Sequence, residues 1–228
     1  MIKPNGVHHL AITTAKMKEQ IAFFNEVLGM ELCALYWMHG VEGYWHGFMK
    51  ANDSCYVAFV CAPAIKEIPV ELGKTHAGNP VSPCSAGAMQ HLAFNVDTEE
   101  EMLAMRDRIR AKGIQVFGPV DHGLCKSMYF AGPENLALEI ATSKAAIDGN
   151  AWIDPEVAAL AGITPEEIRR YKSHQPFPGR EGSVPQPPYN PARPHLAPDA
   201  MAEAWGRMSD AEFYAMISNT QPPVKAAA

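Results

Sequence analysis

The sequence predicts an α+β protein made of two βαβββ modules followed by a helical, proline-rich extension. Three observations carry this. The order strand, helix, three strands is written twice. The near-identical words His9-Leu10-Ala11-Ile12 and His91-Leu92-Ala93-Phe94 open the two copies. After Lys144 the composition changes and prolines accumulate. A repeat that reproduces both element order and a key residue is stronger evidence than either alone, because chance rarely matches the two together. The divisions are a first module over 1–62, a linker over 63–88, a second module over 89–145 and an extension over 146–228.

In the first copy the apolar strand at His9 leads to a helical stretch over 16–28. Met17, Ile21, Phe24 and Leu28 form one stripe, and Gly29 is the stop. Strand-like runs follow over 31–37, 43–50 and 54–61. In the second copy the helix spans 98–112, with Thr98 and Glu101 as a capping box and Gly113 as the stop. Its apolar stripe is Met102, Met105 and Ile109. Strands are expected over 114–117, 125–130 and 136–140, the last two joined by the turn Gly132-Pro133-Glu134-Asn135. The linker is rich in Pro, Gly, Ser and Ala. In the extension, 154–161 and 164–172 read as short helices, 175–198 as a proline-rich run and 199–218 as one further helix. So many prolines are incompatible with a central sheet. Trp152, Trp205, Phe213, Tyr214 and Met216 supply apolar surface that needs cover, so the extension is expected to wrap over the domain or a partner subunit.

Composition excludes several classes. No apolar stretch is long enough for a bilayer, and the N-terminus lacks the order of a signal peptide. A net charge of −6 without Lys/Arg clusters argues against nucleic-acid and anionic-membrane partners. Five cysteines form no CxxC pair, which fits reduced thiols and a cytoplasmic setting.

His9 and His91 hold equivalent places in the repeat, so pseudo-symmetry can bring them face to face. Glu139, in Leu136-Ala137-Leu138-Glu139-Ile140, puts a carboxylate inside an apolar strand, where it needs a cation, a proton or several donors. Two imidazoles and a carboxylate would hold one divalent ion and leave positions open, an arrangement suited to Fe(II), with Mn(II) and Zn(II) also able to use it. A closed structural zinc site would want four ligands, commonly cysteines, and the cysteine spacing offers none. His8 is expected to point away from His9 by strand alternation.

On these residues the chain resembles the vicinal oxygen chelate superfamily, which includes glyoxalase I, methylmalonyl-CoA epimerase, fosfomycin-resistance enzymes and type I extradiol dioxygenases. The resemblance covers about 6–143. It implies that the two modules pair into an open, cupped mixed sheet around the metal, with ligands from the first and last strands of the modules. His9, His91 and Glu139 stand at three such places; Ala58-Phe59-Val60 holds the fourth and offers no ligand, unlike glyoxalase I and the epimerase. The stretch Ser127-Met128-Tyr129-Phe130-Ala131-Gly132-Pro133 is similar to that of the extradiol enzymes. There a tyrosine lies ten residues before the metal-binding Glu and a substrate-contacting His lies shortly before it; Tyr129 and His122 match. The family's acid/base His on the last strand of the first module is missing, and His46 in Trp45-His46-Gly47 could replace it. Trp45, Phe48 and Tyr56, with Trp37, could line the substrate. The resemblance implies an Fe(II)-dependent, ring-cleaving dioxygenase of aromatic compound catabolism that takes a catecholic or related dihydroxy aromatic compound and O2. It also implies a homodimer or higher homo-oligomer. Metal-dependent lyase, isomerase or epimerase chemistry, or plain small-molecule binding, are the alternatives.

Overall fold

A computed structural model describes residues 3–175, 177, 182–194 and 196–224; parts of the proline-rich run expected over 175–198 lie outside them. The first copy of the repeat is β1 (His9–Thr13), α1 (Met17–Glu26), β2 (Glu31–Trp37), β3 (Trp45–Asn52) and β4 (Cys55–Cys61). A short helix, α2 (Pro63–Lys66), opens the linker. The second copy is β5 (Leu92–Asn95), α3 (Glu99–Ala111), β6 (Val116–Asp121), β7 (Lys126–Ala131) and β8 (Ala137–Thr142). Each copy forms its own four-stranded mixed sheet, ordered β1-β4-β3-β2 and β5-β8-β7-β6. First and last strands pair in parallel because a helix crosses over between them; the hairpin neighbours are antiparallel.

Period-two alternation divides the residues of each strand between two faces. One face carries Leu10, Ile12, Met49, Val57 and Phe59 in the first sheet, and Leu92, Phe94, Met128, Leu138 and Ile140 in the second. These join Met17, Phe24, Met102 and Ile109 of the helices in one apolar core. Phe24 is the hinge of that core. Its ring meets Phe59 edge-on at 4.9 Å and Phe94 of the other module at 6.2 Å. Among the described residues the opposite faces carry no helix; that of the second sheet bears Glu139, Tyr129 and Ser127, and that of the first bears mainly aromatic rings.

The modules are also joined through the two ends of α1. At its start, the Glu134 carboxylate accepts from the Thr14 hydroxyl, from the Ala15 N–H at 2.9 Å and from Gln20 Nε2 at 2.8 Å. At its end, Arg108 of α3 donates from Nε to the Val27 carbonyl at 2.7 Å. A helix start offers unpaired N–H groups and partial positive charge, and a helix end the reverse. The second module therefore supplies an anion and a cation to the matching ends of the first module's helix. Glu134 is held in the left-handed region at φ 57, in the 3-10 turn between β7 and β8. Glu134→Ala leaves three donors without their acceptor and is expected to cost about 2–3 kcal/mol of stability, read from denaturant unfolding. Glu134→Gln should recover part of that loss.

Four expectations need correction. The span 199–218 is two helices, α6 (Asp199–Gly206) and α7 (Asp210–Ile217), because Ser209 and Glu212 form a capping box that starts a new helix. β6 runs through Pro119 to Asp121; it is an edge strand, where a missing N–H costs no ladder bond. His8 does not point away from His9. It precedes the strand, where alternation does not apply, and its Nδ1 lies 2.9 Å from His9 Nδ1. Trp45 alternates with His46 and packs against the apolar core beside Trp37, so it does not share the Phe48 face. The short helices of the extension are α4 (Pro155–Leu160) and α5 (Pro165–Tyr171).

Candidate metal and substrate site

On the helix-free face of the second sheet, the register sets Ala93, Glu139 and Tyr129 side by side across three strands. His91 precedes β5 by one residue and lies two before Ala93. Its Nε2 stands 3.0 Å from Glu139 Oε2. The carboxylate side chain is 7% exposed and the imidazole 35%, so the charge is buried while the histidine opens to solvent. The other ring nitrogen, Nδ1, donates to the Gln90 side-chain oxygen. A neutral His91 then keeps a lone pair on Nε2, facing a carboxylate oxygen. Two acceptors at that distance need a cation between them, either a proton on the imidazole or a metal ion. Ligand bonds of about 2.1 Å meeting at roughly a right angle put their donor atoms about 3 Å apart, so the observed separation fits one divalent ion. The pair therefore suits the metal that the donor set suggests.

His9 occupies the equivalent place on the first sheet. Its Nδ1 meets His8, and its ring packs on Phe48 at 5.4 Å. The structure thus brings His91 and Glu139 together but does not bring His9 to them. Among the described residues no group of three His, Cys, Asp or Glu side chains gathers around one point. Both histidines nevertheless engage Nδ1 with the residue just before them, His8 or Gln90, which leaves Nε2 as the ring nitrogen outside that contact in each.

Beside the pair, Tyr129 Oη lies 2.8 Å from His122 Nε2. Burial pushes the Tyr129 hydroxyl above its ordinary range; a hydrogen bond from Ser127 opposes this, while the charges of Glu139 and Cys125 add to it. At neutral pH the phenol therefore keeps its proton. Ser127 is buried on the same face, two residues before Tyr129.

The first sheet answers each of these positions differently. The partner of Ala11 is Ala58 where the partner of Ala93 is Glu139, and Phe48 and His46 stand where the second sheet has Tyr129 and Ser127. Its helix-free face is a wall of rings. Phe48 lies 4.6 Å from His46, 6.3 Å from Tyr36 in a stacked arrangement and 6.4 Å from Tyr56. Burial, and then the neighbouring His9, push the His46 imidazole below its ordinary range. Its Nε2 is buried without a hydrogen-bond partner, an arrangement that costs free energy unless something else uses it.

Sequence reasoning missed Gln90, Ser127, Tyr36 and the contact of His8. The first had a signal, since the repeated words extend one polar residue upstream, as His8-His9 and Gln90-His91. Ser127 and Tyr36 could be placed only once the strand registers were known.

The chain belongs to the glyoxalase/bleomycin resistance protein/dioxygenase superfamily, whose family model matches residues 6–140. It is similar to biphenyl-2,3-diol 1,2-dioxygenase 2 of Rhodococcus globerulus, at 33% identity over 69 residues, 30% of this chain and 36% of that protein. The chain thus matches about a third of the length of that relative. Among solved structures it resembles a glyoxylase/bleomycin resistance protein/dioxygenase domain from Frankia sp. EAN1pec, with 12% identity and a TM-score of 0.48 over 62% of this chain and 100% of that one. It also resembles the fosfomycin resistance protein FosX from Listeria monocytogenes, with 14% identity and a TM-score of 0.43 over 65% of this chain and 99% of that one. No helix among the described residues is long and apolar enough to cross a membrane.

Proposed function

We propose that the protein is a metal-dependent, extradiol-type dioxygenase that opens the ring of a small dihydroxy aromatic compound. The observation that carries this is the grouping of two pairs on one sheet face. The buried Glu139 carboxylate and the solvent-facing His91 are set to hold a cation, and the His122–Tyr129 pair lies beside them to contact a substrate oxygen. Ala58, at the fourth ligand place, leaves an ion with more open positions than a four-ligand site would have. The relative named for a biphenyl diol supports an aromatic substrate.

His91 and Glu139 would hold the ion, with His9 as third ligand after its side chain leaves His8. Fe(II) fits the donor set best, and would supply the one-electron chemistry that lets a singlet diol react with triplet O2. The protein's own groups do the rest. Tyr129, protonated, donates a hydrogen bond to a substrate oxygen, and His122 holds the phenol in place. His46, neutral at pH 7 with a free buried nitrogen, accepts a proton from the diol. Phe48, Tyr56 and Tyr36 offer ring faces to the substrate and exclude water. Ring opening breaks the carbon–carbon bond beside the diol and places both oxygen atoms in the product; the substrate supplies all the electrons.

With Fe(II) loaded anaerobically and a panel of catechols, oxygen uptake should match ring opening one to one and yield a yellow product. Equal turnover without O2, or product with Zn(II) alone, would overturn the proposal and favour a lyase or isomerase.

A further inference from the structure

We infer that Trp152, at the start of the C-terminal extension, is a positioning residue that braces the hairpin carrying His122. This rests on the reading of His122 as a substrate-contacting group, but the brace itself can be tested without it.

The turn between β6 and β7 is tight. The His122 N–H donates to the Cys125 carbonyl at 2.9 Å, and the Gly123 N–H donates to Asp121 Oδ1 at 2.8 Å. Gly123 is left-handed, at φ 81. The indole of Trp152 lies directly on it, so that a methyl group at Gly123 would stand 2.7 Å from Cη2 and 2.9 Å from Cζ2. A glycine is therefore required twice, by the backbone conformation and by the ring resting on it. The backbone that carries the indole is itself held. The backbone N–H groups of Trp152 and Ala151 both donate to the Asp148 carbonyl at 3.0 Å, and Lys172, just past α5, reaches back to Asn150.

His122 is exposed at the hairpin tip, and among the described residues its side chain has one hydrogen-bond partner, Tyr129. An exposed turn held by one backbone–backbone hydrogen bond and one from backbone to the Asp121 carboxylate opens readily, and each opening would withdraw the imidazole from Tyr129. A ring packed on the turn opposes that motion at small entropic cost, because an indole has only two rotatable angles. The extension then contributes to the site from behind, holding the hairpin rather than touching substrate. This gives Trp152 a reason to be aromatic that core packing does not supply, since it is half-exposed.

The test compares the full chain with Trp152→Ala and Trp152→Phe. Hydrogen exchange of the peptide covering 121–126 should be roughly tenfold faster in Trp152→Ala and close to wild type in Trp152→Phe. The His122 imidazole NMR signals, assigned with His122→Asn, should move in the alanine variant toward those of a free histidine. Unchanged exchange and unchanged His122 signals in Trp152→Ala would overturn the brace. A wild-type protein that cleaves no catechol, yet shows the exchange response, would sustain the brace while refuting the proposed reaction.

Discussion

Replacing Glu139 with alanine is expected to weaken divalent-metal binding at least about a hundredfold, because even groups that only support a metal ligand are worth 10- to 100-fold. His91→Ala should do the same. The argument is electrostatic. Glu139 is the charged member of the pair, is 5% exposed, and lies 3.0 Å from the ring nitrogen that would share the ion. Glu139→Gln keeps the shape and loses the charge, so it should fold yet bind metal nearly as poorly as the alanine variant. Metal content after dialysis, and titration with Mn(II) followed by electron paramagnetic resonance, would measure this; full affinity in Glu139→Gln would make the carboxylate structural. One ion per chain is expected in the wild type. Gln90→Ala should lower affinity roughly tenfold by releasing the tautomer of His91. His9→Ala decides the third ligand. An unchanged affinity would leave His9 as the partner of His8 and of Phe48 only.

The second large effect concerns turnover. His122→Ala and Tyr129→Phe should each lower kcat by about a hundredfold or more while metal content stays at the wild-type level, as expected for groups that donate or orient protons. The two changes should be far from additive, since the residues share one 2.8 Å contact and act as a unit. His46→Ala should slow turnover comparably if its buried nitrogen accepts the substrate proton. Loss of metal in any of the three variants would remove them from the substrate side of the site.

Much of the fold was legible in the residues. β2 matched its expected span, and the Thr98–Glu101 capping box formed as read. These are local signals: alternation, a helical stripe, a cap and a glycine stop. Boundaries slipped where context competes with pattern, as in β6, which the edge position allows to continue through Pro119. Trp45 was misassigned because three aromatic residues were read as one wall without regard to the two-residue period, which sends Trp45 and Phe48 to opposite faces.

The sequence by itself determined the repeat, the apolar stripes and strand faces of the two modules and the presence of a carboxylate in a strand that must be compensated. Those follow from the periodicity of neighbouring residues and the high cost of burying a lone charge. Only the tertiary structure decided which groups compensate it. Strand register set Tyr129 and Ser127 beside Glu139, and gave Phe48 and His46 the same places in the first sheet. Packing between modules put Glu134 and Arg108 at the two ends of α1, and the extension put Trp152 on Gly123. Each of these contacts joins residues distant along the chain. A one-residue slip of register would turn each of the strand residues to the other face, and no local pattern specifies it.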